Sequence, residues 1–308
     1  MCRRINIFVP ILFLSYILAS ICVAFILQVS GIALPVWASY LLSQGLLILP
    51  GLIYVLIFKI HIIKCMPYRK LKIGDGLLSM LIGYTLIPLM LFVSNLTSLF
   101  SKNYLQDSMS ELMSYPFFLQ LFLIAVLPAI VEEFLFRGLL YHSYRKNGIL
   151  GAALLSALVF GLMHLNINQL SYAVIMGTVF ALMVEVTGSM YSSMLAHFAV
   201  NSYSIIMLKL VTIVSGGNSA VSESASLADF PLPVIVAELI FLAVLALGFL
   251  GLAFLLFKKL AVRNGRWEYL VMQLRKGLKP QNGEKFLTAP LIVTMITVVI
   301  YMIYIEIF

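Results

Sequence analysis

Charge is the scarcest property of this chain. Only 10% of its 308 residues are Asp, Glu, Lys or Arg, against 62% hydrophobic ones, and the mean hydropathy is +1.07. Too few polar side chains remain to coat a soluble globule, so that class is excluded. Cysteine is nearly missing as well: Cys2, Cys22 and Cys65 are scattered, odd in number and form no CxxC pair. That excludes a disulfide framework and a thiolate metal site. Cys2 precedes Arg3 and Arg4 and has no apolar region before it, which excludes a lipoprotein signal. Internal repeats, low-complexity tracts and alternating strand patterns are absent too.

What remains is a series of apolar stretches of about 17 to 25 residues, the length a helix needs to cross roughly 30 Å of hydrocarbon. They predict an all-α, polytopic transmembrane helix bundle of about nine spans, near 5–27, 36–58, 77–100, 114–141, 148–165, 168–187, 190–213, 233–257 and 287–308. The first is too long for a signal-peptide core and is read as a membrane helix. The net charge of +8 is concentrated in alternate connections: Arg3 and Arg4; Lys59, Lys64, Arg69, Lys70 and Lys72; Arg145 and Lys146; and eight Lys or Arg between 258 and 285. Lys102 and Lys209 are the exceptions. The positive-inside rule then places the amino terminus in the cytoplasm and the carboxyl terminus outside. It also accounts for the charge through membrane lipids, without nucleic acid. Asp107, Glu111, Glu223 and Asp229 fall on external connections. Between 258 and 286, Trp267, Leu270, Val271, Leu274 and Leu278 recur at helical spacing beside Arg266, Arg275, Lys276 and Lys279, which predicts a short amphipathic helix on the inner leaflet.

An ionisable side chain at the bilayer centre costs roughly 2.5 to 3.5 kcal/mol or more unless paired or hydrated. Glu185, Lys209 and Glu238 lie near helix ends, where partial hydration suffices. Glu132, Glu133, Arg137, His164 and His197 need another reason. Glu133 and Arg137 are four apart and share a helix face, whereas Glu132 is turned by about 100 degrees. One carboxylate has a built-in counter-ion; the other is left available to take and return a proton. Phe160 and His164 share a face, as do His197 and Asn201. At 1.5 Å per residue from the basic helix ends, Glu132 lies roughly 14 to 20 Å deep, His164 about 24 Å and His197 about 12 Å. If these helices converge, a glutamate and two histidines can hold a water, or a metal with its water, while Asn201 donates to a developing oxyanion.

In order along the chain, the motifs read Glu132-Glu133-xxx-Arg137, Phe160-xxx-His164 and His197-xxx-Asn201, with TGS at 187–189 before the last. Together they resemble the CPBP intramembrane proteases, which include the CAAX prenyl endopeptidases of the Rce type and bacterial bacteriocin-processing and immunity proteins. The likeness covers roughly 114–208. It implies an intramembrane endopeptidase acting on membrane-associated, prenylated or secreted peptides, or on membrane-protein substrates. Glu132 would activate the water, Glu133 and Arg137 would orient the acidic pair, His164 and His197 would hold the water or a metal, and Asn201 would serve the oxyanion. The resemblance leaves open both a metalloprotease and a metal-free mechanism. There is no HExxH helix, so Zn2+ or another divalent metal would take Glu132, His164 and His197.

Three units follow: 1–113, three amino-terminal spans; 114–213, a core of four spans carrying the motifs; and 214–308, an external loop, two further spans and the basic amphipathic segment. Two other readings stay open. An inactive relative would act as a membrane scaffold or bacteriocin immunity factor, although every motif position is intact. A proton-coupled transporter would use the same residues as a relay, although no inverted repeat or pair of broken helices supports it. The short-loop layout is expected of a multi-pass protein of the bacterial plasma membrane. Oligomeric state leaves no trace in the sequence.

Overall fold

Inside a bilayer the backbone must satisfy its own hydrogen bonds, and helices do so within each segment. The computed structural model describes residues 2–62, 66–101, 109–214 and 230–307. In chain order it forms α1 (Cys2–Ser30), α2 (Val36–Ile57), α3 (Ile73–Ser98), α4 (Phe117–Asn147), α5 (Ile149–Leu162), α6 (Ile167–Thr187), α7 (Met190–Val214), α8 (Leu232–Arg263), α9 (Trp267–Arg275) and α10 (Ala289–Ile307). Among the described residues there is no strand, only an isolated bridge between Tyr68 and Ser189. The protein is an all-α, multi-pass membrane bundle. Large apolar side chains lie exposed along α1, α8 and α10, for example Phe25, Leu247 and Ile300, as lipid-facing surfaces require. Residues 215–229, most of the expected external loop with Glu223 and Asp229, lie outside the described residues, as do Lys64, Cys65, Lys102 and Asp107.

Among the described residues eight helices, α5 and α9 not included, are long and apolar enough to span. The ninth expected span, 148–165, is the 14-residue α5, which rises only about 21 Å. It ends early because Leu165 adopts a left-handed backbone (φ 52) and Asn166 caps α6, its side chain accepting from the Gln169 amide at 2.9 Å. The alternation of the chain survives this shortening. The carboxyl end of α6 returns to the basic connections, where Tyr68 bridges Ser189 and Arg145 pairs with Glu185.

Two close approaches set the positions of the helices that carry the motifs. A Cβ at Gly83 on α3 would lie 2.5 Å from the Ala196 carbonyl oxygen, so only glycine lets α7 come this close. On α6, a Cβ at Gly177 would meet Ala157 of α5 at 3.0 Å and the Arg137 guanidinium at 2.9 Å.

The basic end corrects the reading of Glu185. It is 2% exposed, not wetted at a helix end. Arg145 binds it through two donors, at 2.8 and 2.6 Å. The Tyr141 hydroxyl donates to it at 2.7 Å and that of Tyr269 at 3.2 Å. Sequence depth counts distance from a helix end, but α9 folds over this end and removes the water. Leu270 of α9 is accordingly buried among side chains of the bundle, with Trp267 and Leu274 beside it. The amphipathic helix thus packs part of its apolar face on protein; Leu278 lies beyond its end and is exposed.

Candidate active site

α4 is not a uniform α-helix. Its residues 122–126 and 134–141 are π-helical, on either side of the α-helical turns that carry the two glutamates. Wider π turns at such a place commonly mark functional sites. Pro128 supplies a local cause for the first, because it has no N–H for the Ile124 carbonyl four residues back. Asn201 of α7 compensates, its Nδ2 donating to that carbonyl at 3.1 Å. One amide hydrogen of Asn201 is thereby spent on holding α7 against α4, and one remains.

Glu133 is fully buried. Its Oε1 accepts from Arg137 Nη1 at 2.8 Å and from His197 Nδ1 at 3.0 Å. The Arg137 guanidinium is also wholly buried and lies between aromatic faces, 4.6 Å from the Phe160 ring centre and 5.5 Å from that of Phe180. Cation–π attraction is strongest in such desolvated surroundings. The phenylalanine of the second motif therefore holds the arginine of the first. Phe160 also meets the rings of His164 and His197 edge-on, at 4.9 and 5.9 Å between centroids.

Glu132, the neighbouring residue, faces a cavity of about 650 Å³ in the half of the bundle away from the basic end. His164, His197 and Asn201 line the same cavity; Glu133 and Arg137 do not. His197 spans both carboxylates, its Nε2 lying 3.7 Å from Glu132 Oε2 while its Nδ1 binds Glu133. His164 donates from Nδ1 to the Phe160 carbonyl at 3.0 Å. A carbonyl oxygen can only accept, so in the neutral ring Nε2 is left with its lone pair.

All six residues singled out in the sequence thus meet around one place: Glu133, Arg137 and His197 are joined by hydrogen bonds, His164 reaches them through the Phe160 ring, and Glu132 and Asn201 share the cavity with both histidines. Among the described residues, however, no group of three His, Cys, Asp or Glu side chains is arranged to hold a metal ion. The expected set of Glu132, His164 and His197 shares the cavity without forming a three-ligand cage, and His197 Nδ1 is already engaged.

One partner escaped the sequence reading. Gln44 of α2 donates from Nε2 to Glu132 Oε1 at 3.2 Å, and its own Oε1 is buried without a hydrogen-bond partner. A carboxylate must accept, so the amide nitrogen faces it and the carbonyl oxygen points elsewhere. A lone carboxamide in an apolar span was the only signal. Tyr16, Tyr40 and Tyr172 line the cavity with it and give its walls an apolar body with polar tips.

Residues 114–203 match the family model of the type II CAAX prenyl endopeptidases, Rce1-like, and contain all three motifs. A Bacillus subtilis (strain 168) protein named "Putative membrane peptidase YdiL" is 29% identical over 84 residues, 27% of this chain and 34% of that protein. The match thus spans about a third of that relative's length. No solved structure matches. Over this segment the likeness to the CPBP proteases, read first from spacing, stands.

Proposed function

We propose that the protein is an intramembrane endopeptidase in which Glu132 activates a water. One observation carries the reading: of two adjacent glutamates, one is locked between Arg137 and His197, and the other opens into a cavity shared with two histidines and an asparagine. Buried ion pairs fix positions at a high desolvation cost; here what is fixed is the neighbour of the cavity-facing Glu132.

In this reading a water bound between Glu132 and His164 Nε2 attacks the carbonyl carbon of a peptide bond lying in the cavity. Glu132 takes its proton as the C–O bond forms. The remaining amide hydrogen of Asn201 stabilises the oxyanion, and His197, its Nδ1 spent on Glu133, lines the cavity beside Glu132. The C–N bond then breaks, and the proton held by Glu132 passes to the leaving amine. Arg137 holds Glu133 in place without touching the substrate.

The peptide enters from lipid or from the surface away from the basic end, so membrane-proximal and secreted peptides are the substrate class favoured. With the basic end taken as cytoplasmic, the amino terminus lies inside and the cavity opens to the exterior of a bacterial plasma membrane. The test is cleavage of a quenched membrane-proximal peptide library by the purified protein, its Glu132→Gln variant and its His164→Ala variant. Losses of about 100-fold or more in both variants are expected. Equal cleavage by all three would remove the basis of the reading. A chelator arm belongs in the same assay: loss of activity that added Zn2+ restores would assign the water to a metal.

A further inference from the structure

The basic end carries a second cavity, of about 250 Å³, remote from the glutamates. Three separate connections build it. Arg69, Lys70, Leu71 and Lys72 come from the segment before α3; Thr187 closes α6; Arg263, Asn264 and Arg266 join α8 to α9. Five cationic side chains therefore border one small space, with Asp75 the only acidic group among its walls. Asp75 is already engaged, accepting from Arg263 Nε at 2.8 Å and from Asn264 Nδ2 at 3.2 Å. Arg266 spends one nitrogen, Nη1, on the Glu185 carbonyl oxygen at 2.9 Å. Arg69, Lys70 and Lys72 have no acidic partner among the described residues and are exposed.

An excess of cations on this side is what any such membrane protein shows, and a diffuse excess needs no ligand. This one is not diffuse. The chain leaves room for the guanidinium groups to converge: a Cβ at Gly188 would lie 3.4 Å from Arg69 Nη1 and 3.8 Å from Arg266 Nη2, and one at Gly74 would lie 3.0 Å from Arg263 Nη2. Like charges gathered into one walled space repel unless an anion sits between them. Guanidinium forks and ammonium groups together suit a tetrahedral oxyanion.

We infer that this cavity binds a phosphate-class anion at the membrane surface, either the phosphodiester of an anionic lipid headgroup or free phosphate. The anion would tie the segment before α3 to the α6 end and to the α8–α9 turn, and so would stabilise the whole basic end. Nothing in this inference depends on peptide cleavage, and its test does not read cleavage.

The experiment follows the apparent Tm of the full chain in nanodiscs. One arm uses phosphatidylcholine in chloride; the second adds inorganic phosphate at matched ionic strength; the third replaces part of the lipid by phosphatidylglycerol. A rise of about 3 °C or more is expected when the site fills. A rise with phosphatidylglycerol alone assigns a headgroup, and a rise with inorganic phosphate assigns the free anion. The rise should vanish in Arg69→Gln/Lys72→Gln, and shrink in the milder Lys70→Gln. It should persist in Lys276→Gln/Lys279→Gln, which removes the same charge outside the cavity. No rise in either arm, or an equal rise in the Arg69/Lys72 variant and the control, overturns the inference.

Discussion

Replacing Glu133 by Gln would leave the wholly buried Arg137 guanidinium without its carboxylate, and one neutral carbonyl oxygen to serve both Arg137 and His197 Nδ1. Breaking a buried pair from one side costs about 3 to 5 kcal/mol, so Glu133→Gln should unfold at markedly lower denaturant or temperature than wild type. A variant as stable as wild type would mean that the pair does not hold this region together. Gln44 belongs to the same scale but plays a different part. Its amide holds Glu132 at 3.2 Å and stabilises no core. A hydrogen bond to a charged group is worth about 1.5 to 3 kcal/mol, so Gln44→Leu should lower kcat roughly 10- to 100-fold and leave KM unchanged. Tm should stay close to wild type. A change in KM alone would make Gln44 a substrate contact instead of a positioning residue.

Among the elements, α4 and α6 decide whether the charged groups meet. Gly177 on α6 makes the recess into which Arg137 reaches. Overfilling a packed site costs typically 1 to 3 kcal/mol, so Gly177→Ala should lower stability by that amount, measured by thermal unfolding in detergent. Unchanged stability would mean that the guanidinium has room to shift.

This is also where the limits of sequence reading show. The Glu133–Arg137 pair was legible because four-residue spacing puts both on one face, and the histidine motifs because charge stands out against an apolar run. The π-helical stretches of α4 left no such pattern, since an extra residue per turn changes register without changing composition. Gln44 lies 88 positions from Glu132, so no spacing rule could join them. α5 was read as a full span because its apolar run continues past the reversal at Leu165. Glu185 was read as wet because burial by α9 arises only when the chain closes over its own end.

Among the described residues, two clusters of paired ionisable groups stand at different levels of the molecule. The central level holds the glutamate pair, the histidines and the larger cavity; the basic end holds the Glu185 network and the smaller cavity. α4 connects them, since Glu132 and Glu133 sit halfway along it and Tyr141 and Arg145 reach Glu185 farther on. A family model covering 114–203 spans both levels, while α2, α3 and α9 supply Gln44, Asp75 and the lid over Glu185 from outside it.

The central claim is that Glu132 serves chemistry while its neighbour serves the fold. The most direct test pairs thermal unfolding with cleavage of a quenched membrane-proximal peptide in Glu132→Gln. The account predicts a Tm within about 2 °C of wild type and cleavage reduced by about 100-fold or more. Wild-type cleavage by that variant would contradict it.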